Sequence, residues 1–207
     1  MRTIKAFVVS ILVIIILAAG FALSGLYNVA ATDPHWPVTK FLLELARERS
    51  VAVHSSGIQV PDLTDPKLLP MGVRHFHEMC RLCHGAPGLP RTEFAEGLYP
   101  EPPNLASSDI QELNDAELFW IVTNGLKLTG MPAFSPTHTR EQIAGIVDMV
   151  RRLPRLKAAD YEALVSSAGM TEGRKGGLPE HGSEQPKAAP TGSAAPEASG
   201  NSQGATP

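Results

Sequence analysis

The sequence has little cysteine: only two cysteines occur among its 207 residues. A structural zinc site would need a second pair of ligands, and a thioredoxin-type dithiol would need a βαβ context. The chain offers neither of these. It is also short of positive charge, with 18 Lys and Arg against 21 Asp and Glu, and no basic run is longer than a pair such as Arg151-Arg152. This charge balance argues against a nucleic-acid partner.

The two cysteines belong to one short motif that ends in a histidine. Cys80 and Cys83 are spaced C-x-x-C, and His84 follows at once. On a helix these three side chains share one face. The motif is typical of covalent c-type haem attachment, in which the thiols bond to the haem vinyl groups and His84 ligates the iron. A redox dithiol or a structural disulfide is the alternative.

A long uncharged segment lies near the N-terminus. Residues 6–27 contain no charged side chain, and at ~1.5 Å per residue they span a hydrocarbon core of ~30 Å. We therefore expect residues 1–27 to be a single-pass anchor in a bacterial inner membrane. Because Arg2 and Lys5 precede it, the rest of the chain is predicted to lie in the periplasm. A signal peptide cleaved after Val29-Ala30-Ala31 is the alternative.

Residues 28–65 are predicted to form a juxtamembrane segment that contains an amphipathic helix at about 38–53. Its apolar positions recur with helical spacing, at Val38, Phe41, Leu42, Leu45 and Ala46. Three alternatives are open for this apolar stripe: it packs on the following domain, lies on the membrane surface, or contacts a partner subunit.

Residues 66–168 are predicted to be the folded domain. A first helix at about 67–83 stacks Gly72, Phe76 and Cys80 on one face, and a long loop at 85–113 follows it. Three more helices are expected, at about 114–123 with Asn114 as N-cap, at 139–154 with a Thr139 and Gln142 capping box, and at 158–168. Their predicted core faces are Leu118, Ile121 and Val122; Ile143, Ile146, Val147 and Val150; and Tyr161, Leu164 and Val165.

The C-terminal segment 169–207 is predicted to be disordered. From residue 171 onward it has no aromatic side chain and one large aliphatic side chain, Leu178. Gly, Pro, Ala and Ser dominate it, so it cannot bury enough apolar surface to offset the entropy of ordering.

The haem iron needs either a sixth ligand or an open site. Met131 is the preferred ligand, because Gly130 lets the backbone approach the haem and Pro132 stiffens the loop. His/Met ligation suits an electron carrier, whereas an open site suits gas binding or peroxide chemistry. The competing candidates are Met71, Met79, Met149, Met170, His75, His77 and His138.

Taken together, these motifs resemble those of a membrane-anchored, mono-haem bacterial cytochrome c of class I. The resemblance covers about residues 66–156. It rests on the spacing of Gly72 and Phe76 before the C-x-x-C-H motif, on Pro103-Asn104-Leu105, on Gly130-Met131-Pro132, and on the helix ending at Pro154. It implies an all-α, small cytochrome c fold of about three to five helices around one covalent haem c, with the transmembrane helix and the disordered tail attached.

The resemblance also assigns two roles within the loop. The Pro103 carbonyl is expected to accept a hydrogen bond from the His84 imidazole, and Leu105 is expected to pack on the haem ring. The chain departs from the family's pattern in two places. Met149 stands where an aromatic side chain is common, so the helix crossing at Gly72 should be repacked, and residues 91–99 lengthen the loop and are expected to shape a docking face.

The predicted function is one-electron transfer by a membrane-tethered carrier rather than enzyme catalysis. The expected partners are a redox donor and acceptor, with a terminal oxidase or a dehydrogenase as the candidates. The alternatives are a fixed haem subunit of such a complex, and a five-coordinate sensor or peroxidase-like protein if Met131 is not a ligand. Phe119 and Trp120 are candidates to line the haem pocket, and Lys127 and Arg140 are candidates to steer a partner or meet a haem propionate; core or surface roles are their alternatives.

Overall fold

The computed structural model describes residues 1–170, and over these residues the chain is helical. An isolated bridge between Ala86 and Leu89 is the only extended pairing in this part of the chain. The all-α expectation is confirmed. The segment predicted to be disordered, 169–207, lies outside the described residues except for Gly169 and Met170. The helices are α1 (Arg2–Leu23), α2 (Pro37–Ser55), α3 (Leu68–His75), α4 (Arg81–His84), α5 (Glu93–Glu96), α6 (Ser108–Gln111), α7 (Asp115–Asn124), α8 (Arg140–Arg152) and α9 (Ala158–Ser167).

Helix α1 lies within residues 1–27, the predicted anchor. It begins at Arg2 and ends at Leu23. Gly25 follows with a φ of 71°, a backbone conformation that ends a helix at low cost only in glycine. The helix buries no side chain and is long and apolar enough to cross a membrane. It therefore fits a membrane anchor.

Helix α2 packs on the rest of the chain through its C-terminal end. Pro37 opens it, as suits a residue whose missing N–H is not needed in the first turn. Val51 and Ser55 are its buried residues, and its neighbour is α7. The apolar stripe around Phe41 and Leu42 remains exposed. Packing on the folded domain, one of the three alternatives considered for this stripe, is thus not what the structure shows.

Helices α3 and α8 cross closely at two glycines. A methyl group built on Gly72 would lie 1.9 Å from the Gly145 carbonyl oxygen, so the two backbones are in contact. Met149 is fully buried beside this crossing. The crossing at Gly72 is therefore retained without an aromatic side chain at position 149. Gly145 is the partner that the sequence analysis did not identify.

Helices α7 and α8 begin at the predicted N-cap residues, and both N-termini form capping boxes. Asn114 accepts a hydrogen bond from the Glu117 N–H, and Thr139 accepts one from the Gln142 N–H. These bonds satisfy backbone donors that the first turn of a helix leaves unpaired. The core contains most of the predicted side chains; it consists of Leu68, Val73, Phe76, Leu118, Phe119, Val122, Ile143, Ala144, Ile146, Val147, Met149, Val150, Leu153, Tyr161 and Val165. Ile121 and Leu164 are only half-buried, and Phe119, offered as a pocket or core residue, is core.

Candidate functional site

The C-x-x-C-H motif lies at the end of a composite helix that we call the attachment helix, residues 68–84. It comprises α3, a π-helical turn at Phe76–Cys80, and α4. The π turn was not predicted. It inserts one residue into the regular helical repeat, as π-bulges at functional sites commonly do, and so changes how the motif is rotated relative to the core-facing residues Gly72 and Phe76. Gly85, with a φ of 72°, ends the helix directly after His84.

His84 is held by a backbone carbonyl from the loop. Its Nδ1–H donates to the Pro103 carbonyl oxygen at 2.8 Å, the contact that the resemblance led us to expect. With Nδ1 engaged in this way, Nε2 is the nitrogen left to bind a metal. Burial lowers the pKa of His84, the Pro103 hydrogen bond opposes this shift, and the nearby Arg91 charge lowers the pKa further. The net shift favours the neutral imidazole, which is the form that binds iron.

The loop that carries Pro103 is fastened by Arg91 and Thr92. Arg91 donates from Nη1 to the Pro102 carbonyl at 2.9 Å and forms an ion pair with Glu101. Thr92 donates twice to the Leu82 carbonyl, from its backbone N–H at 3.0 Å and from its hydroxyl at 2.7 Å. The added segment 91–99 therefore helps to hold the loop against the attachment helix. Sequence reasoning missed both roles, because the bonds join residues with no shared motif.

Met131 lies in a tight loop after α7. Its N–H donates to the Thr129 hydroxyl at 3.1 Å, and its carbonyl accepts from the Leu126 N–H at 3.2 Å. Gly130 has the Leu98 side chain against it, since a methyl group built there would lie 2.9 Å from Leu98 Cδ2. The loop is thus held by its own hydrogen bonds and by the added segment 91–99.

These residues fit a covalently bound haem. Cys80 and Cys83 are both free thiols, and Cys80, Leu105 and Met131 are partly buried against one hydrophobic core. Leu105 is further held by the Gln111 side chain, which donates to its carbonyl at 2.8 Å. Two thiols, an imidazole with one nitrogen available, and flanking apolar side chains are the groups that c-type attachment requires.

The electrostatics of Cys80 disfavour the dithiol interpretation. Burial raises the pKa of Cys80 to about 12, and the neighbouring Cys83 adds to the rise. A redox-active dithiol needs an accessible thiolate, which surroundings that raise the pKa do not supply. Among residues 1–170 there is also no group of three or more His, Cys, Asp or Glu side chains that could hold a metal ion.

The competing histidines contact other side chains. His77 Nδ1 lies 2.8 Å from the Tyr161 hydroxyl, and burial raises the pKa of Tyr161 to about 12. The His75 and His138 rings meet edge to face, with centroids 4.7 Å apart. These contacts tie the attachment helix to α9 and to the loop that precedes α8.

The pocket and steering candidates lie beside α2 and the segment that follows it. The Trp120 ring is 5.8 Å from the His54 ring at the end of α2. Arg140 lies over the Phe119 ring, 4.9 Å from its centroid, and donates to the Gln59 carbonyl. These contacts give Arg140 a structural role. Lys127 is exposed in the loop that leads to Met131.

The fold and the site together define a helical domain built to carry one covalent haem. Comparison with protein families supports this definition: residues 69–150, from the start of the attachment helix to the last part of α8, match the family described as cytochrome c oxidase, cbb3-type, subunit III. A comparison with curated proteins found no match. The matched region is a mono-haem c-type cytochrome domain of class I, and its cofactor is a covalently bound c-type haem. It is an electron-carrier domain.

Proposed function

We propose that this protein is a membrane-tethered one-electron carrier with His84 and Met131 as the two axial ligands of its haem. Cys80 and Cys83 would form the thioether bonds, and Leu105 would contact the ring. When bound, the haem supplies a reversible change between iron(II) and iron(III), and two protein ligands leave no iron position for a substrate.

The observation that carries this proposal is the hydrogen bond from His84 Nδ1 to the Pro103 carbonyl, at 2.8 Å. It fixes the tautomer and the orientation of the imidazole, and it makes the ring a stronger donor to iron. Arg91 holds the loop by donating to the carbonyl of Pro102, next to Pro103, and Thr92 donates to the carbonyl of Leu82, two residues before His84. A fixed ligand keeps the coordination the same in both oxidation states, which lowers the cost of electron transfer.

We further infer that the haem domain, residues 66–168, faces the periplasm. Arg2 and Lys5 lie at the start of α1, and positive residues remain on the cytoplasmic side of a membrane helix. In this arrangement residues 1–27 are the anchor and residues 28–65 are the connection. The partners are then redox proteins at the outer face of the inner membrane.

A fixed subunit of an oxidase complex is the second candidate, because the matching family is described as a subunit of a cytochrome c oxidase. Purification in mild detergent separates the two candidates. A fixed subunit co-purifies with the oxidase or dehydrogenase in stoichiometric amount, whereas a tethered carrier purifies alone with its haem.

Ligation by Met131 is tested with the variant Met131→Ala. Loss of the thioether should open the sixth position, so the reduced variant should bind carbon monoxide and its reduction potential should fall, since methionine ligation raises that potential. The measurements are the reduced optical spectrum with and without carbon monoxide and a redox titration. Met79→Ala is the matched control, because Met79 lies on the attachment helix, and it should behave as wild type.

Two results would contradict this assignment. If Met131→Ala stays six-coordinate and excludes carbon monoxide, another side chain is the ligand. If the wild-type protein itself binds carbon monoxide readily, the iron is five-coordinate and a sensor or a peroxidase-like protein becomes the better interpretation.

A further inference from the structure

The apolar stripe of α2 faces away from the haem domain. The exposed fractions are 69% for Val38, 62% for Phe41, 55% for Leu42 and 44% for Leu45. At about 100° per residue, the buried residues Val51 and Ser55 lie roughly a third of a turn away from this stripe. The helix therefore contacts the domain with one face and presents large apolar side chains with another.

The domain holds α2 near both of its ends. At the C-terminal end, Val51 and Ser55 are buried and His54 meets the Trp120 ring of α7. Just before the N-terminal end, the His35 N–H donates to the Tyr99 hydroxyl at 2.9 Å, and the two rings meet edge to face with centroids 4.9 Å apart. With a length of about 28 Å between these attachments, the helix cannot turn its stripe toward the domain without breaking one of them.

The start of α2 lies at the end of the membrane helix. The Trp36 ring is 5.9 Å from the ring of Phe21, which lies in the last turn of α1, and 5.2 Å from the ring of Tyr27. Tyr27 also hydrogen-bonds through its hydroxyl to His35 Nδ1 at 3.0 Å. Tryptophan and tyrosine prefer the interface between hydrocarbon and headgroups. These contacts place the first turn of α2 at the level of that interface.

We propose that α2 lies in the outer membrane interface on its stripe of Val38, Phe41, Leu42 and Leu45, and thereby holds the haem domain at one orientation to the bilayer. The proposal rests on α1 being a retained anchor, as in the proposed function. Lipid is the occupant that the contacts favour, because the apolar surface of α1 leads through Phe21 and Trp36 directly into α2. Apolar residues on one face with tryptophan beside them are typical of helices that lie in this interface.

Three charged residues of α2 agree with this placement. Lys40 and Glu44 pair at 3.9 Å, and at 100° per residue they project away from the stripe. Arg49 lies about one turn beyond Leu45 on the stripe side and is exposed. Its apolar stem can follow the hydrocarbon boundary while the guanidinium reaches a lipid phosphate.

Tyr99 connects the segment before α2 to the haem site. This residue ends the added segment 91–99, whose residues Arg91 and Thr92 restrain the loop that positions His84. The contact of His35 with Tyr99 thus joins the interfacial segment to the haem-binding loop itself. A fixed orientation would present the same edge of the domain to partners in the membrane plane.

Site-directed spin labelling of the full-length holoprotein in lipid vesicles tests the proposal. With both native thiols bound to haem, a label can be placed at Leu42→Cys and, as the matched control, at Lys40→Cys on the opposite side of the same turn. The label at position 42 should be relaxed by oxygen, which partitions into lipid, and shielded from a water-soluble nickel chelate. The label at position 40 should show the reverse.

Two outcomes would overturn the proposal. A label at position 42 that is as accessible to the nickel chelate as the label at position 40 would place the stripe in water. Shielding from both reagents would mean that a protein surface, such as a second copy of the chain, covers the stripe. Intact mass and the optical spectrum, measured on the same samples, report separately whether the anchor is retained and whether the haem ligation is intact.

The orientation is measured by electron paramagnetic resonance of the oxidised haem in oriented multilayers. The wild-type signal should depend strongly on the angle between membrane and field. Tyr99→Phe, which removes the acceptor for the His35 N–H, should weaken that dependence without changing the g values, and Phe94→Ala on the same segment should leave it unchanged. A wild-type signal with no angular dependence would overturn the fixed orientation.

Discussion

The residue with the most constrained environment in the site is His84. Its Nδ1 is engaged by Pro103, burial favours its neutral form, and the loop that engages it is tied by Arg91 and Thr92. In the proposed site the motif supplies the ligand, and the hydrogen bond to Pro103 leaves Nε2 as the ring nitrogen that can reach the iron. Loop residues beside Pro103 are therefore expected to affect the reduction potential as well as the stability.

His75 should make the protein less stable in mild acid. Burial lowers the pKa of His75 below the ordinary value of 6.5, and the adjacent His138 and Arg74 lower it further, while Glu78 opposes them. The unfolded chain then binds more protons than the folded one, so the free energy of unfolding should decrease as the pH falls below about 6.5. Denaturant unfolding between pH 7.5 and 5.5 measures this.

The control for this effect is His75→Gln, which keeps a polar side chain but cannot be protonated. Carboxylates and the haem ligands contribute equally to the pH dependence of both proteins. The variant should therefore lose less stability than wild type over the same pH range. Equal slopes would show that His75 is protonated alike in the folded and unfolded chains.

At the scale of the elements, the contact of α3 with α8 supports the attachment helix. The backbones meet at Gly72 and Gly145, and Phe76 and Met149 are fully buried beside them. The π turn at Phe76–Cys80 then connects this packed part of the helix to the haem motif. A change in how α3 crosses α8 would also move Cys80 and His84, because these residues and α3 belong to one continuous helix.

Gly72→Ala should destabilise the fold strongly. The added methyl group would lie 1.9 Å from the Gly145 carbonyl oxygen, and a backbone atom cannot move aside as a side chain can. We expect a loss of about 3 kcal/mol or more in the free energy of unfolding. Gly97→Ala is the matched control, since its methyl group would meet its nearest atom at 3.6 Å. A Gly72→Ala protein as stable as this control would contradict the close crossing.

On the scale of the molecule, the segment between the apolar helix α1 and the haem domain contacts both of them. Trp36 meets Phe21 of α1, and His35 meets Tyr99 of the haem loop. Two residues that are adjacent in the sequence, His35 and Trp36, thus contact the haem loop and α1 respectively. The connection is therefore a packed structure rather than an extended linker over these residues.

Replacing residues 1–27 with a cleavable signal peptide should move the protein from the membrane to the soluble periplasmic fraction. Insertion of a spanning helix is effectively irreversible, whereas a single amphipathic helix binds lipid reversibly. The haem should still be attached and its optical spectrum unchanged, because the attachment helix and the loop remain. Fractionation followed by a haem stain after denaturing electrophoresis checks both points.

The unmodified protein provides the comparison. It should pellet with membranes and keep the mass of the full anchor. If it is already soluble and begins near Thr32, the N-terminal segment is a cleaved signal peptide, and both the tether and the interfacial placement of α2 fail.

Features that depend on neighbouring residues could be predicted from the amino-acid sequence. Helical periodicity and capping residues predicted α7 and α8 closely, and the spacing of Cys80, Cys83 and His84 predicted the chemistry of the site, because each of these signals lies within one or two helical turns. The same reasoning located the loop that holds Met131.

Contacts between distant residues, in contrast, could be found only in the folded structure. Gly145 as the partner of Gly72, the outward direction of the α2 stripe, and the contact of His35 with Tyr99, 64 residues away, have no local signal. A helix with apolar residues on one face can bury them against a domain, a lipid or a partner. Because its own sequence is the same in all three cases, that sequence does not distinguish them. The choice depends on tertiary packing, in which α2 lies against α7 with Val51 and Ser55 buried and the stripe left exposed.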